Sequence, residues 1–371
     1  MAVALKPSPV APVVTLASDG EELSPAAYAQ LLAELTRGRD VAADTFSIGG
    51  IVAEFEARIA GLLGKERAIV MPTGTLANML ALDRLAGPAA NGVGRRRVIV
   101  QTDSHVLNDT GDGCELVAGL KLVPVQDHGA GFTAAAVRAE LQRATTARVA
   151  VPFGAISIET PVRRRHNELV DQRDIDEVVA LARAEGIGLH LDGARVFIAA
   201  AATGRSVADC ARPFDTVYVS LYKYMHVPFG AVLAGPARLI DGLHHDRRRH
   251  GGGLRQSWQI ALVAGHFLDD LESAWRQAMV LARPVLDRIV SSGRARLADF
   301  PNAGNIFPLV PVSVSGAVDS QHLARVAARA LALGIKLPEP EGDRFWIRVN
   351  ATWTRLAPDD LAARVVKALE S

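Results

Sequence analysis

Between residues 67 and 235, short runs of β-branched and aliphatic residues alternate with helical patterns, and this alternation restricts the fold more than any other property of the chain. Strands are predicted near 97–101, 120–124, 148–152, 187–191, 214–219 and 229–234, with apolar residues at helical spacing in most of the intervals. Parallel neighbours need a crossover connection, so the pattern predicts an α/β fold with a mainly parallel sheet covered by helices. Open sheets of this kind bind ligands outside the carboxyl ends of their strands. The residues that follow each strand are therefore the ones to inspect.

Asp192 closes one of those runs, in His190-Leu191-Asp192-Gly193-Ala194-Arg195. Read alone, it is as well a turn or helix-cap acid. Lys223 follows the next predicted strand, in the connection between Asp215-Thr216-Val217-Tyr218-Val219-Ser220 and Phe229-Gly230-Ala231-Val232-Leu233. Such a lysine is either a solvated turn residue or a desolvated amine able to hold an aldehyde as an imine. An acid and a lysine at adjacent strand ends suit pyridoxal 5′-phosphate, since the acid keeps the pyridine nitrogen protonated. A phosphate site would complete the set. Ile69-Val70-Met71-Pro72 runs into Thr73-Gly74-Thr75 and a helical pattern, where backbone N–H groups and hydroxyls can hold a phosphate or simply cap the helix.

Pro72-Thr73-Gly74-Thr75-Leu76-Ala77-Asn78, the Asp192 motif, Lys223 with Pro228-Phe229-Gly230, and Gly251-Gly252-Gly253-Leu254-Arg255-Gln256 occur in this order. With these residues the chain resembles the low-specificity threonine aldolases, in the β-eliminating lyase branch of the fold-type-I pyridoxal phosphate (PLP) enzymes. The resemblance covers about residues 15 to 370. It implies that Thr73, Gly74, Thr75, Ser220 and Lys223 hold the cofactor with Asp192 and Arg195, and that His105 stacks on its ring. It also implies that Arg255 reaches the phosphate of a neighbouring subunit, which makes the protein a homodimer or homotetramer with shared active sites. Ser18, Arg195 and Arg348 are then the expected holders of the substrate carboxylate. His166 falls near the position of a family histidine beside the substrate hydroxyl.

Two segments depart from the family pattern. A family Tyr-Gly-Glu-Asp-Pro is replaced by Phe46-Ser47-Ile48-Gly49-Gly50, and a family Glu-Asn-Thr-His-Asn by Glu159-Thr160-Pro161 followed by Arg163-Arg164-Arg165-His166-Asn167. The arginine run reads as a solvated face. The activity implied is retro-aldol cleavage of an L-β-hydroxy-α-amino acid to glycine and an aldehyde, with His105, His166 or a water as base. An alternative keeps the cofactor but uses Lys223 as base for β-elimination to a keto acid and ammonia. A non-catalytic protein that only holds PLP is the alternative of another class.

Composition narrows the rest. With 41 basic and 40 acidic residues there is no global field to recruit nucleic acid or an anionic membrane, and the expected partner is a small amino acid. No run approaches the length of a membrane span, and no metal site is expected. Met1 to Leu16 carries Lys6, Pro7, Pro9 and Pro12, reads as a loose arm rather than a signal peptide, and leaves a cytoplasmic location as the expectation. Cys114 and Cys210 read as reduced core residues. The expected layout is an arm and helix over 1–45, a large PLP-binding domain over 46–290 and a smaller α+β C-terminal domain over 291–371. A long helix from 257 to 292, expected to break near Pro284, should join the large domain to the small one.

Overall fold

The computed structural model describes residues 14–87, 95–312 and 318–370. The chain forms two compact units, one made of residues 22–273 with 302–304 and the other of the remaining N-terminal and C-terminal segments. In chain order the strands are β1 (Val14–Thr15), β2 (Arg67–Met71), β3 (Arg97–Gln101), β4 (Lys121–Val125), β5 (Phe153–Glu159), β6 (Gly188–Asp192), β7 (Thr216–Ser220), β8 (Ala231–Gly235), β9 (Ala295–Leu297), β10 (Ile306–Pro311), β11 (Ile335–Lys336) and β12 (Phe345–Arg348).

The larger unit is built on a seven-stranded sheet of order β2-β8-β7-β6-β5-β3-β4. Only β8 runs against its neighbours β2 and β7, and the contiguous set β7-β6-β5-β3-β4 is parallel. Strands β5, β7 and β8 are buried along their whole length, which is why they read as continuous apolar runs rather than as alternating ones. The helix Gly74–Ala86 covers one face; Thr73 caps it by accepting from the Leu76 N–H at 3.2 Å, and it ends at Gly87. Buried Leu76, Met79, Leu80 and Leu82 of this helix join Val98, Val100, Leu122 and Leu233 of the sheet in one core. Each such side chain contributes about 1.5–3 kcal/mol by leaving water.

One strand lies later than expected. The run 148–152 is a connection, with Val149 74% exposed, and β5 begins only after Pro152. Proline has no N–H to give a central ladder, so pairing starts at Phe153. The next residue must then be small: a Cβ on Gly154 would lie 2.2 Å from the Arg95 carbonyl oxygen and 2.7 Å from the Ala86 Cα.

The smaller unit has an antiparallel sheet of order β12-β10-β9 and a parallel pair, β1 with β11, in which Val14 faces Ile335. The helices Ser320–Ala332 and Pro358–Leu369 bury Leu323, Val326, Leu361 and Val365 with Phe345, Ile347 and Trp353. Val14 and Leu16 are fully buried in this core, so the end of the expected loose arm is a strand, because its two apolar side chains have a core to enter. The rest of that arm, residues 1–13, lies outside the described residues. The expected break at Pro284 does not occur, and Trp258–Ser291 is one helix. Val280, whose carbonyl loses its donor to the proline, is 71% exposed.

The tight seat of Gly154 yields a test of the fold. Gly154→Ala should cost roughly 1–3 kcal/mol, seen as a lower denaturant midpoint at unchanged slope. A midpoint equal to that of the parent would contradict the packing described.

Candidate active site at the carboxyl ends of the parallel strands

Because β3, β5, β6 and β7 run the same way, their carboxyl ends share one edge of the sheet. Asp192 ends β6, Glu159 ends β5 in register with it, and Ser220 ends β7. His105 opens the short helix His105–Asn108 just beyond β3. Lys223 lies in the turn beyond β7, half-buried between the buried residues Leu221 and Tyr224. The imidazole of His105 feels the charges of both Asp192 and Lys223, so the three groups share one region, and burial is the first cause that lowers its pKa. Its Nδ1 is buried without a hydrogen-bond partner.

Asp192 is 2% exposed. Its Oδ2 accepts from the Asn78 side-chain amide at 2.7 Å and its Oδ1 from the Ala194 N–H at 3.2 Å. Both donors are neutral. Behind Asn78, its Oδ1 meets Nε2 of buried His190 at 2.9 Å, and Nδ1 of that ring meets the Thr216 hydroxyl at 2.8 Å. Burial pushes the His190 pKa down to about 4. The neighbouring Glu159 carboxylate accepts from the backbone N–H groups of His105 at 2.6 Å and Arg163 at 2.9 Å. Its pKa is raised, first by burial and then by the charge of Asp192.

The other end of the site is the start of the helix Gly74–Ala86. A Cβ on Gly74 would fall 2.0 Å from the Tyr218 hydroxyl oxygen, so glycine is required where helix and β7 meet. Thr75 is half-buried there, whereas Thr73 is exposed and spends its hydroxyl as the cap. Ser220 is fully buried, and its hydroxyl oxygen has no hydrogen-bond partner. Two loops approach with unusual backbone. Phe46 and Ser47 both have positive φ, and Asp44 holds them by accepting from the N–H groups of Ser47 at 2.7 Å and Ser257 at 2.8 Å. The guanidinium groups of Arg248 and Arg255 lie 4.3 and 5.4 Å from the centre of the Phe46 ring.

Other expected residues are placed as follows. Arg195 is half-buried at the start of the helix Val196–Thr203, close enough to Glu159 to act on its ionisation. His166 is half-buried with positive φ, directly after the turn Arg163–Arg165. That turn is a solvated face, with Arg163 and Arg164 exposed, and it carries surface ion pairs: Arg163 and Arg164 both pair with Asp109, and Arg165 with Asp103 and Glu168. Arg255 is exposed. Ser18 and Arg348 belong to the smaller unit. There the Arg348 guanidinium donates to the Ala17 carbonyl at 2.7 Å and lies 3.8 Å from Asp19, and the Ser18 hydroxyl donates to the Gly20 carbonyl at 2.7 Å. Cys114 and Cys210 are unpaired thiols.

Some residues that shape the site went unassigned in the sequence. Asn78, His190 and Glu159 stand inside the motifs that were recognised, yet nothing in their spacing says what they bond. A usable signal existed for Asn78, since an amide among the buried residues of an apolar helix must find a partner. Arg247 is wholly buried and donates to the carbonyls of Val70, Phe46 and Ser47, tying β2 to the loop at 46–47.

A mainly parallel sheet whose strand ends present a lysine, a buried acid and a helix N-terminus defines the fold-type-I class of PLP enzymes. A structure of SPT with PLP has this fold, with a TM-score of 0.64 at 17% identity over 95% of this chain and 86% of that one. The chain belongs to the β-eliminating lyase family, whose model matches residues 15–333. A putative L-allo-threonine aldolase from Listeria monocytogenes superposes with a TM-score of 0.78 at 22% identity, covering 97% of this chain and 96% of that one. Among curated relatives, the low-specificity L-threonine aldolase of Saccharomyces cerevisiae is 24% identical over 76% of this chain and 68% of its own length. A probable low-specificity L-threonine aldolase of Arabidopsis thaliana is 30% identical over 61% and 64%. The alanine racemase of Cochliobolus carbonum is 27% identical over 60% and 55%. The chain thus spans little more than half to two thirds of the curated relatives it matches.

PLP is the cofactor of this lyase family, and the residues present fit it. Asp192 offers an anion with neutral hydrogen-bond donors, the orphaned Ser220 hydroxyl and the helix start offer donors to a phosphate, and His105 offers a neutral ring.

The raised pKa of Glu159 gives a signed expectation. A carboxyl whose folded pKa exceeds its unfolded one stabilises the protein in acid and loses that contribution as pH rises through the folded value. Glu159→Gln should therefore reduce the fall in unfolding free energy between about pH 5 and about pH 8, by about 1.4 kcal/mol for each unit of elevation removed. Identical slopes in parent and variant would contradict the environment assigned to Glu159.

Proposed function

We propose that the protein cleaves L-β-hydroxy-α-amino acids of the threonine type to glycine and an aldehyde. The observation that carries the reading is the Asp192 carboxylate, buried and hydrogen-bonded by the Asn78 and Ala194 donors, in one region with His105 and Lys223. The threonine aldolases among the relatives and solved structures support the substrate class.

In this reading Lys223 provides the amine that holds the cofactor aldehyde, and the Thr73-Gly74-Thr75 helix start with Ser220 holds the phosphate. PLP supplies, when bound, a positively charged ring that accepts the electron pair released as the Cα–Cβ bond breaks. Asp192 keeps a proton on the ring nitrogen. Arg195 presents a planar fork to the substrate carboxylate and so fixes which Cα bond stands perpendicular to the ring. His105 is a neutral base at ordinary pH, since burial holds its pKa below the usual range, and it can take the proton of the β-hydroxyl. His166 and a bound water compete with it for that role.

The active unit is proposed to be a homodimer or homotetramer. Supporting this, Arg255 is exposed beside Phe46 at the end of a glycine-rich loop, as a residue reaching a neighbour's phosphate would be. A cytoplasmic location suits the two unpaired thiols. No helix among the described residues is long and apolar enough to cross a membrane.

β-Elimination and racemisation both begin by breaking Cα–H, and the racemase relative makes the second a specific competitor. Incubation with L-threonine and L-serine, followed by analysis of all products, separates the readings. Glycine with acetaldehyde from L-threonine is expected. A keto acid with ammonia, or a D-amino acid with its carbon skeleton intact, in place of glycine would overturn the proposal.

A further inference from the structure

The helix Gly74–Ala86 covers the face of the sheet that carries His190 and Asp192 of β6 and Thr216, Tyr218 and Ser220 of β7, since alternate strand residues share a face. Along that face runs an unbroken chain of buried contacts: Thr216 hydroxyl to His190 Nδ1 at 2.8 Å, His190 Nε2 to Asn78 Oδ1 at 2.9 Å, and Asn78 Nδ2 to Asp192 Oδ2 at 2.7 Å. With Asp192 ionised and the His190 ring neutral, as its lowered pKa makes it, only one assignment of protons satisfies every member of this chain. Asn78 must turn its NH₂ toward the carboxylate, so its oxygen must accept from His190 Nε2–H, and Nδ1 of that ring must accept from the Thr216 hydroxyl.

We propose that Asn78 and His190 are positioning residues for Asp192, the imidazole locking the amide so that an uncharged donor always faces the carboxylate. The consequence concerns charge more than geometry. A free amide could rotate its oxygen toward Asp192, and the repulsion would favour a protonated acid. A cation in place of Asn78 would neutralise the acid instead. Locked as it is, the amide fixes one carboxylate oxygen and leaves the negative charge available to the ring nitrogen of PLP. The buried imidazole stays neutral because no anion touches it directly and its own burial opposes protonation.

This inference rests on the cofactor reading, and its test separates the two. PLP binding to the unaltered protein, followed by absorbance, checks the cofactor on its own. The relay is then read from PLP affinity in variants. His190→Leu should weaken PLP binding by about tenfold, the loss of one buried donor, whereas His190→Gln, whose amide nitrogen reaches the place of Nε2, should stay within about threefold of the parent. Asn78→Asp, nearly the same shape but with a second carboxylate against Asp192, should weaken binding more than His190→Leu and shift the absorbance of bound PLP. Equal affinity in the Leu and Gln variants, or an unchanged spectrum in Asn78→Asp, would overturn the inference. A second measurement needs neither cofactor nor variant: nitrogen NMR of ¹⁵N-histidine protein should show His190 neutral with the proton on Nε2. A proton on Nδ1, in a neutral or a cationic ring, would overturn it as well.

Discussion

The site depends on a buried carboxylate held by a side-chain amide and a backbone N–H. Taking an ionised acid out of water costs several kcal/mol, and proteins usually offset that cost with a lysine or arginine. Hydrogen bonds from neutral groups hold an anion in place without cancelling its field. In the proposed reading a protonated pyridine would meet that field when the cofactor is bound.

Much of the architecture serves to make that carboxylate possible. Parallel strands bring their carboxyl ends to one edge, which sets Asp192 beside Glu159 and places the segments that carry His105 and Lys223 nearby. The covering helix does two jobs from its first two turns. Its first residue, Gly74, lets the backbone approach Tyr218 closely enough to turn the helix start toward the site, and Asn78 one turn later reaches the acid. Arg247 ties two carbonyls of the neighbouring loop to that of Val70 in β2, so the positive φ values at Phe46 and Ser47 are held by bonds on both sides of the chain.

How much of this was legible in the sequence follows from the kind of signal each feature leaves. Period and composition mark elements, so the parallel order, the helix at 74–86 and the strand ends at Asp192 and Ser220 were readable. Boundaries set by a single missing N–H were not: Pro152 delays β5, while Pro284 sits inside a helix whose exposed side tolerates it. Motifs carried the principal site residues, since Lys223, Asp192 and Thr73-Gly74-Thr75 each stand at a strand or helix end. Partners across the fold left no trace, because the bond from Asn78 to Asp192 spans two motifs whose residue types alone do not say which atoms meet. The ion pairs of the exposed arginine run left no trace for the same reason, as Asp103 and Asp109 lie far away in sequence and adjacent in space.

The central claim is that Lys223 and Asp192 serve one cofactor at one sheet edge. It is tested most directly by adding PLP, reducing the yellow protein with borohydride, digesting it and locating the attached pyridoxyl group by mass spectrometry. The account predicts a single modified peptide with the group on Lys223, and a parallel sample of Asp192→Asn that retains the cofactor poorly before reduction. Attachment at Lys65 or another lysine, or an unmodified Lys223 in fully coloured protein, would contradict it.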